Sequence, residues 1–407
     1  MDASAPAPNE PTQAANGARK LVERDARGYL YGVYHDVYRD PEIYQRELKE
    51  IYGKTWVFVG LELEVPNPGD FKATFVGEIP VVLVRDESGK LHVFENVCLH
   101  RGAKLVRRSC GNAKALTCMY HQWTYALDGQ LTGVALPKGF PEGFRTEDYR
   151  LSELPRVDVF AGMVYASYDA KVMPLGEYLN DFRPILSEVL QDGQIELLGY
   201  QRYHVKANWK LFIENTIDAY HPGLLHIAIM RDRSAYQYRP GVGANYKYKN
   251  GHGMLKWPVS IVDQSSWDPE TDLPLTLCKT RKPGGWDYVS NIFPNVMVLQ
   301  IEDILTIRQL VPRGVDRTDV ITYNLALKGE SEEIKRHRAW VVTSQFGIAG
   351  VASLDDKVAM EAVQASANTK YSETLLLRGD PSKSEGDLTD EVSLRGFYEM
   401  WSDCLTP

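Results

Sequence analysis

The rhythm of hydrophobic and polar positions changes twice along the chain. Residues 28 to 54 keep a helical beat after a short extended start. Asp40-Pro41-Glu42 offers an N-cap with proline at the first helical position, and PEIYQRELKEIYGKTW carries apolar or aromatic residues at helical spacing with Gly53 near its end. From Trp56 to about Tyr168 the beat shortens to that of strands. FKATFVG, IPVVLVRD, LHVFENV, ALTCMY and WTYALDG are β-rich runs separated by Gly, Asp and Ser turns, and Asp128-Gly129 marks a hairpin. Beyond that the pattern is mixed. YLNDFRPILSEVL, NWKLFIENTIDAY, SEEIKRHRAWVVTSQFG and the run from Leu354 to Asn368 read as helices, and QIELLGYQRYHVKAN reads as extended. GWDYVSNIFPNVMVLQ, EDILTIRQLVPR and TDVITYNLAL alternate like strands of an antiparallel sheet. The pattern predicts an α+β chain: a leader over 1–27, a helical segment over 28–54, an all-β domain over 55–168 and a larger mixed domain over 169–407.

Composition narrows the class. The first 18 residues are rich in Ala, Pro and Asn and contain no apolar stretch, so they read as a disordered leader and not as a signal peptide. With 44% hydrophobic and 25% charged residues, the 407-residue chain is an ordinary globular sequence with room for two domains. Its net charge of −8 argues against nucleic acid as a partner. No run approaches the roughly 18 apolar residues of a membrane helix. The five cysteines are an odd count without a secretion signal, which fits a reducing cytoplasm. Three of them, Cys110, Cys278 and Cys404, read as free thiols, with Cys110 a small residue in a connecting hairpin.

The other two belong to the most informative array in the chain. Cys98-Leu99-His100-Arg101-Gly102 and Cys118-Met119-Tyr120-His121-Gln122-Trp123 place one Cys and one His in each of two loops of the all-β domain. Two thiolates for one iron and two imidazoles for the other suit a Rieske [2Fe–2S] cluster, a one-electron carrier. The competing reading is a structural zinc site. Zinc fingers favour like pairs spaced C-x2-4-C and H-x3-5-H, whereas here each pair is mixed, Cys before His.

A second candidate centre follows. Two histidines, His221 and His226, stand five residues apart after a helical run. On an ideal helix five residues leave the side chains about 140° apart, too far to share an ion. Pro222 and Gly223, directly after His221, predict a kink that brings His226 round. Leu354-Asp355-Asp356-Lys357-Val358-Ala359-Met360-Glu361 supplies acidic candidates for a third ligand. Two His and one carboxylate with open positions form the facial triad of non-haem Fe(II) oxygenases.

With both motifs in hand, the chain resembles the large (α) subunit of Rieske non-haem iron ring-hydroxylating oxygenases from about Tyr29 to Trp401. The resemblance rests on C-x-H-R-G…C-x2-H followed by N-W-K-x3-E-N-x2-D-x-Y-H-x4-H, here Asn208 to His226. It implies an all-β Rieske domain followed by a catalytic domain with a twisted antiparallel sheet covered by helices. Cys98, His100, Cys118 and His121 would hold the cluster. His221, His226 and Asp356 would hold the mononuclear Fe(II), with the adjacent Asp355 as rival. Asp218 would bridge a cluster histidine of one subunit to an iron-ligand histidine of the next, in a head-to-tail trimer. O2 and electrons from NAD(P)H, relayed by a reductase and possibly a ferredoxin, complete the implied system.

Within that family the chain looks closest to the branch acting on aromatic carboxylates: terephthalate dioxygenases, salicylate 5-hydroxylases and some anthranilate dioxygenases. The shared text includes Ile307-Arg308-Gln309-Leu310 and Ser393-Leu394-Arg395-Gly396-Phe397. Arg308 lies in the apolar strand LTIRQLV, where a charge must face a partner, and guanidinium matches carboxylate as a fork. By resemblance, Arg308 and Arg395 would hold substrate carboxylates; Phe212, Ile217 and Phe293 read equally as apolar residues against the ring or as plain core. Gly251-His252-Gly253-Met254 departs from the terephthalate pattern, which leaves a monocarboxylate open. The relatives imply a small β subunit, three α with three β. The alternatives are a homotrimeric Rieske monooxygenase or demethylase without a β subunit, and a non-enzymatic Rieske electron carrier.

Overall fold

The computed structural model describes residues 21–226, 242–259, 278–281, 284–369 and 373–406. They form two compact units, one of residues up to Glu47 together with 198–406, the other of Leu48–Leu197. Most of the leader predicted over 1–27 lies outside the described residues. Its last part is structured: Leu21 and Val22 are buried, and β1 (Val22–Arg24) pairs antiparallel with β2 (Leu30–Tyr34).

Of the helical stretch predicted over PEIYQRELKEIYGKTW, Pro41–Glu47 forms α1 and Leu48–Tyr52 widens into a π-helical turn. The division between the units falls at that change, inside the predicted 28–54 segment.

The second unit is built mostly of strands. β3 (Val57–Leu61) opens it, and β4 (Asp70–Val76), β5 (Ile79–Arg85), β6 (Leu91–Glu95) and β7 (Cys110–Asn112) make a sheet in the order β6-β5-β4-β7. β8 (Leu116–Thr117), β9 (Thr124–Tyr125) and β10 (Leu131–Gly133) make a second sheet. Asp128-Gly129 turns β9 into β10, with Gly129 at φ +92° and the edge of Phe94 against its α-carbon. That combination admits only glycine. β11 (Arg156–Phe160) and β12 (Met163–Ser167) join β3 in a third sheet. α2 (Arg183–Leu190) belongs to this unit, whereas the sequence pattern put it in the mixed domain. Its Arg183 lies over the ring of Phe160, 5.5 Å away.

The first unit is organised on one eight-stranded antiparallel sheet. It comprises β13 (Ile195–Val205), β14 (Ala244–Lys247), β15 (Gly253–Pro258), β16 (Trp286–Ile292), β17 (Val296–Ile301), β18 (Ile304–Pro312), β19 (Thr318–Leu327) and, beyond β20 (Glu373–Leu375), β21 (Glu385–Asp387). Their spatial order is β13-β19-β18-β17-β16-β15-β14-β21. Every residue of β17 and β18 is buried, which places protein on both faces of the sheet's centre.

Four helices matter to the site. They are α3 (Trp209–Thr216), the short α4 (Pro222–Leu225), α5 (Glu332–Phe346) and α6 (Val351–Ser366). α3 packs on α6 and on β16 and β18; α5 packs on β18 and β19. α3 starts where Asn208 caps the Lys210 N–H, and Glu47 anchors it. Both carboxylate oxygens of Glu47 are used, by Lys210 at 2.6 Å and by the indoles of Trp209 and Trp401 at 2.8 Å each. A last helix, α7 (Val392–Leu405), covers β14 and β15. Among the described residues no helix is long and apolar enough to cross a membrane.

Candidate metal centres and substrate pocket

The two Cys/His loops of the all-β unit are built alike. In the first, the Cys98 N–H donates to Ala103 O (2.8 Å) and the Gly102 N–H returns to Cys98 O (2.9 Å). In the second, the Cys118 N–H donates to Trp123 O (2.8 Å) and the Gln122 N–H to Cys118 O (3.0 Å). The residue that closes each turn, Gly102 or Gln122, is left-handed, at φ +67° and +55°. Glycine accepts that readily; a glutamine there is backbone strain held by the loop. Each loop thus wraps a cysteine inward and lifts a histidine beside it. Cys98 and Cys118 are buried, while Leu99, Met119 and Tyr120 are exposed around the imidazoles.

The rings of His100 and His121 lie 4.5 Å apart at 74°. His100 stacks flat on Trp123 at 5.0 Å, and its buried Nδ1 has no hydrogen-bond partner. The Tyr125 hydroxyl accepts from the Leu99 N–H (3.1 Å) and lies 3.4 Å from Cys98 Sγ, placed to donate to a thiolate. Burial raises its pKa, and the hydrogen bond to Cys98 adds to that, so it stays a donor.

A zinc ion would draw four ligand atoms onto one point. Among the described residues, the one set of three or more His, Cys, Asp or Glu ligand atoms all within 4.8 Å of one another is a different set, His221, His226 and Asp356. The wider spacing of the loop residues and the orphaned His100 Nδ1 fit a two-iron cluster and not a single ion.

At the second centre, α3 ends at Thr216. Asp218 and His221 therefore stand in the turn that follows, and the kink expected at Pro222 is instead the start of α4. His226 caps the end of that single turn. The two imidazoles meet at 5.3 Å and 79°, with Nε2 of His221 and of His226 at 3.3 and 3.2 Å from the same Asp356 Oδ1. Each outer nitrogen has its own carboxylate: His221 Nδ1 faces Asp218 Oδ2 (3.2 Å) and His226 Nδ1 faces Asp355 Oδ2 (3.3 Å). Asn215 donates to Asp356 Oδ1 at 3.2 Å. Successive positions of α6 thus take up two jobs, Asp356 facing inward and Asp355 outward.

Electrostatics mark the centre as a seat for positive charge. Burial opposes protonation of His221, yet its hydrogen bonds to Asp218 and Asp356 outweigh that and hold its pKa at about 9. Burial likewise opposes ionisation of Asp356, and the two histidines overcome it, keeping the carboxyl well below the usual range. Two inward nitrogens, one carboxylate and outer partners fixing both rings match the donor set of a non-haem iron.

These geometries have relatives. Residues 55–142 match the Rieske [2Fe-2S] domain, and residues 194–406 match the catalytic domain of the ring-hydroxylating α subunit. The chain belongs to the ring-hydroxylating oxygenase α-subunit family. It is 32% identical to the large oxygenase component of salicylate 5-hydroxylase from Ralstonia sp., over 89% of this chain and 92% of that one. It is also 32% identical to the large subunit of anthranilate 1,2-dioxygenase from Burkholderia cepacia, over 90% and 91%. Among solved structures, naphthalene 1,2-dioxygenase with indole bound aligns at a TM-score of 0.81 and 27% identity, over 95% of this chain and 93% of that one. This family member is thus a large oxygenase subunit and an oxidoreductase. Its family's cofactors are a Rieske [2Fe–2S] cluster and a mononuclear non-haem iron, with NAD(P)H acting indirectly.

The predicted substrate residues separate. Arg308, on β18, is buried and has no hydrogen bond or ion pair among the described residues; Nε and Nη2 are both unpartnered. Its guanidinium lies 4.9 Å from the Phe346 ring. Tyr203 on β13 feels both Arg308 and Asp356, after burial the leading influences on its pKa, so this cation and the triad share a neighbourhood.

Arg395, on α7, has backbone partners. Its Nη1 and Nη2 donate to the backbone carbonyls of Leu376 and Arg378, at 3.1 and 2.7 Å, so it pins that segment to α7. Phe212, Ile217 and Phe293 are all buried; Phe293 packs on Phe397 at 5.6 Å, and the Ile217 backbone carbonyl accepts from Ser393. Sequence reasoning missed Tyr125 and Tyr203, which no motif marks. It quoted Asn215 within a motif without giving it a job.

Proposed function

We propose that this chain is the terminal oxygenase subunit of a multicomponent system that hydroxylates an aromatic monocarboxylate. The observation that carries the substrate class is Arg308. A buried guanidinium without a counter-ion is costly. Its two free N–H groups, on Nε and Nη2, are the pair that meets a carboxylate side-on as a fork. Relatives named for salicylate, anthranilate and 2-halobenzoate support an acid. The commitment of Arg395 to carbonyls argues for one carboxylate and against two.

In this reading Cys98 and Cys118 hold one iron of the cluster, and His100 and His121 the other. His221, His226 and Asp356 hold the mononuclear iron. When bound, these groups supply one-electron transfer and O2 activation. The remaining work falls to the chain. Asp218 and Asp355 fix the His221 and His226 rings so that both Nε2 atoms point inward, and Asn215 steadies Asp356. Arg308 fixes the acid so that its ring lies toward the triad. Asp218 also links His221 to a cluster histidine of a neighbouring copy in a head-to-tail trimer. Relatives named as large components or α subunits support a small-subunit partner and an NAD(P)H-fed reductase or ferredoxin as donor.

The test is product mass after turnover with the metal-loaded protein and a promiscuous reductase. Benzoate, salicylate, anthranilate, isophthalate and terephthalate would each be compared with the analogue lacking the carboxylate. The acids are expected to gain one or two oxygens. Turnover confined to neutral rings would refute the acid reading.

A further inference from the structure

The turn that carries Asp218 is held from outside by a cation. Asp218 uses both carboxylate oxygens within its own turn: Oδ1 accepts the Tyr220 N–H at 2.6 Å, and Oδ2 faces His221 Nδ1 at 3.2 Å. Its direction therefore depends on where Tyr220 sits. The Tyr220 ring is 46% exposed, and an exposed ring is ordinarily free to turn. Here the Arg378 guanidinium lies over its face, 4.1 Å from the centroid. A guanidinium on an aromatic face is an attractive contact that fixes the ring plane.

Arg378 is itself held on every side. Its Nε and Nη2 donate to Thr389 O and Oγ1 at 2.8 and 2.9 Å. Its N–H donates to Glu391 Oε2 at 2.8 Å, and its carbonyl accepts from Arg395 Nη2 at 2.7 Å. The next residue, Gly379, is left-handed at φ +80° against the Asp390 carboxylate, where a side chain would collide. These bonds fasten the cation to the start of α7, so the Tyr220 ring rests on a fixed support. Burial raises the pKa of the Glu391 carboxyl, and Arg378, Arg395 and Asp218 all act on it as well, so the cation and Asp218 share a neighbourhood. Tying this segment down does not need the ring, because none of the four bonds involves Tyr220. The stack is thus a separate feature that calls for its own explanation.

We infer that Arg378, acting through the Tyr220 ring, is a positioning residue for electron transfer: it holds the 217–221 turn so that Asp218 meets the cluster histidine of a neighbouring copy. This rests on the reading of Asp218 as the bridge. One electron passes from the reduced cluster of one copy to the iron held by His221, His226 and Asp356 of the next. Asp218 is neither oxidised nor reduced, and Arg378 touches neither centre. Transfer through a hydrogen-bonded carboxylate weakens steeply as its contacts lengthen. A turn displaced by about 1 Å therefore slows the transfer and leaves substrate affinity alone.

The experiment is a single turnover of the assembled, metal-loaded protein. It is reduced, then mixed with O2 and whichever panel compound, acid or neutral, turns over fastest, and the visible spectrum follows cluster reoxidation. Arg378→Met and Tyr220→Leu are each expected to reoxidise about tenfold or more slowly, with both metals, the cluster potential and the substrate KM unchanged. Tyr220→Phe, which keeps the ring face, restores the rate lost in Tyr220→Leu. In the metal-free protein, the Tyr220 amide of Arg378→Met exchanges its hydrogen faster than in wild type, read by mass spectrometry, because its bond to Asp218 opens more often. Wild-type reoxidation in both variants overturns the inference. So does loss of iron from both, which would make the stack plain scaffolding, and so does a slow Tyr220→Phe. A slow Asp218→Asn beside an unchanged Arg378→Met overturns this inference alone; Asp218→Asn at the wild-type rate overturns the bridge and this inference with it.

Discussion

Asp355 and Asp356 are chain neighbours with opposite duties. Asp356 meets both inward nitrogens, and Asp355 meets only the outer nitrogen of His226. Asp356→Ala is therefore expected to abolish mononuclear iron binding. Asp355→Asn should keep the iron and weaken its affinity about 10- to 100-fold, as loss of an outer partner does. Iron content after graded chelation separates the two; equal retention in both would contradict the assignment. Asp218→Asn should keep both metals and lose turnover, and wild-type rates would remove Asp218 from the electron route. At the other centre Tyr125→Phe removes a hydroxyl placed to donate to Cys98. Donors to cluster sulfur raise the potential, so the variant should titrate at lower potential when followed by its visible spectrum, with the cluster retained. The sequence made the candidate ligands legible because Cys and His at those spacings have few other uses. It left Asp355 and Asp356 as rivals, because a pair of adjacent acids does not say which one faces in.

At the scale of elements, a fully buried ion pair ties Glu47 of α1 to Lys210 of α3. Both side chains are fully buried, and burial pulls the Lys210 pKa down against the pull of Glu47. Glu47→Ala would leave the ammonium unpaired and free the two indoles, so a loss of about 3–5 kcal/mol is expected in denaturant unfolding. A change below about 1 kcal/mol would contradict the account. The end of α3 was not legible. Ile217 and Ala219 continue its apolar beat, so NWKLFIENTIDAY reads as one helix, yet the chain turns at Ile217 and frees Asp218 and His221 for the metal centre. The face of β18 was also hidden. With all nine of its residues buried, no period of two marks which side carries Arg308; only the register with β19 does. The partners of Arg395 were hidden too, since they are backbone carbonyls, which no sequence pattern announces.

For the whole molecule, buried acids set the response to pH. Burial holds the Glu214 carboxyl up at about 7, against hydrogen bonds from Tyr398 and Tyr38 and the charge of Lys210. A carboxyl raised in the folded state keeps its proton after the unfolded chain has lost it. Stability therefore falls as pH rises from about 4.5 toward about 7, then levels off. The cost is about 3 kcal/mol, and Glu214→Gln should flatten that slope in unfolding curves between pH 5 and 7. Asp86 works the other way. Burial opposes its ionisation, but hydrogen bonds from Ser88 and His92 hold it at about 2, so its contribution is complete above about 3.8 and lost on acidification toward about 2. An unchanged slope in Glu214→Gln would refute the first of these assignments. The two-unit organisation was legible in outline from the change of rhythm near Trp56. The exact partition was not, because α1 and α2 each read as a generic amphipathic helix and only packing shows which unit claims them.

The central claim is that one buried cation selects an aromatic acid for the oxygenase, and the ratio of kcat/KM for an acid to that for its decarboxylated analogue tests it most directly. Oxygen uptake checked by product mass would be measured for wild type and for Arg308→Met, each with full iron. The account predicts a large ratio for wild type that collapses toward one in the variant, chiefly through loss of the acid. A wild-type ratio near one, or a large ratio that Arg308→Met leaves intact, would contradict it.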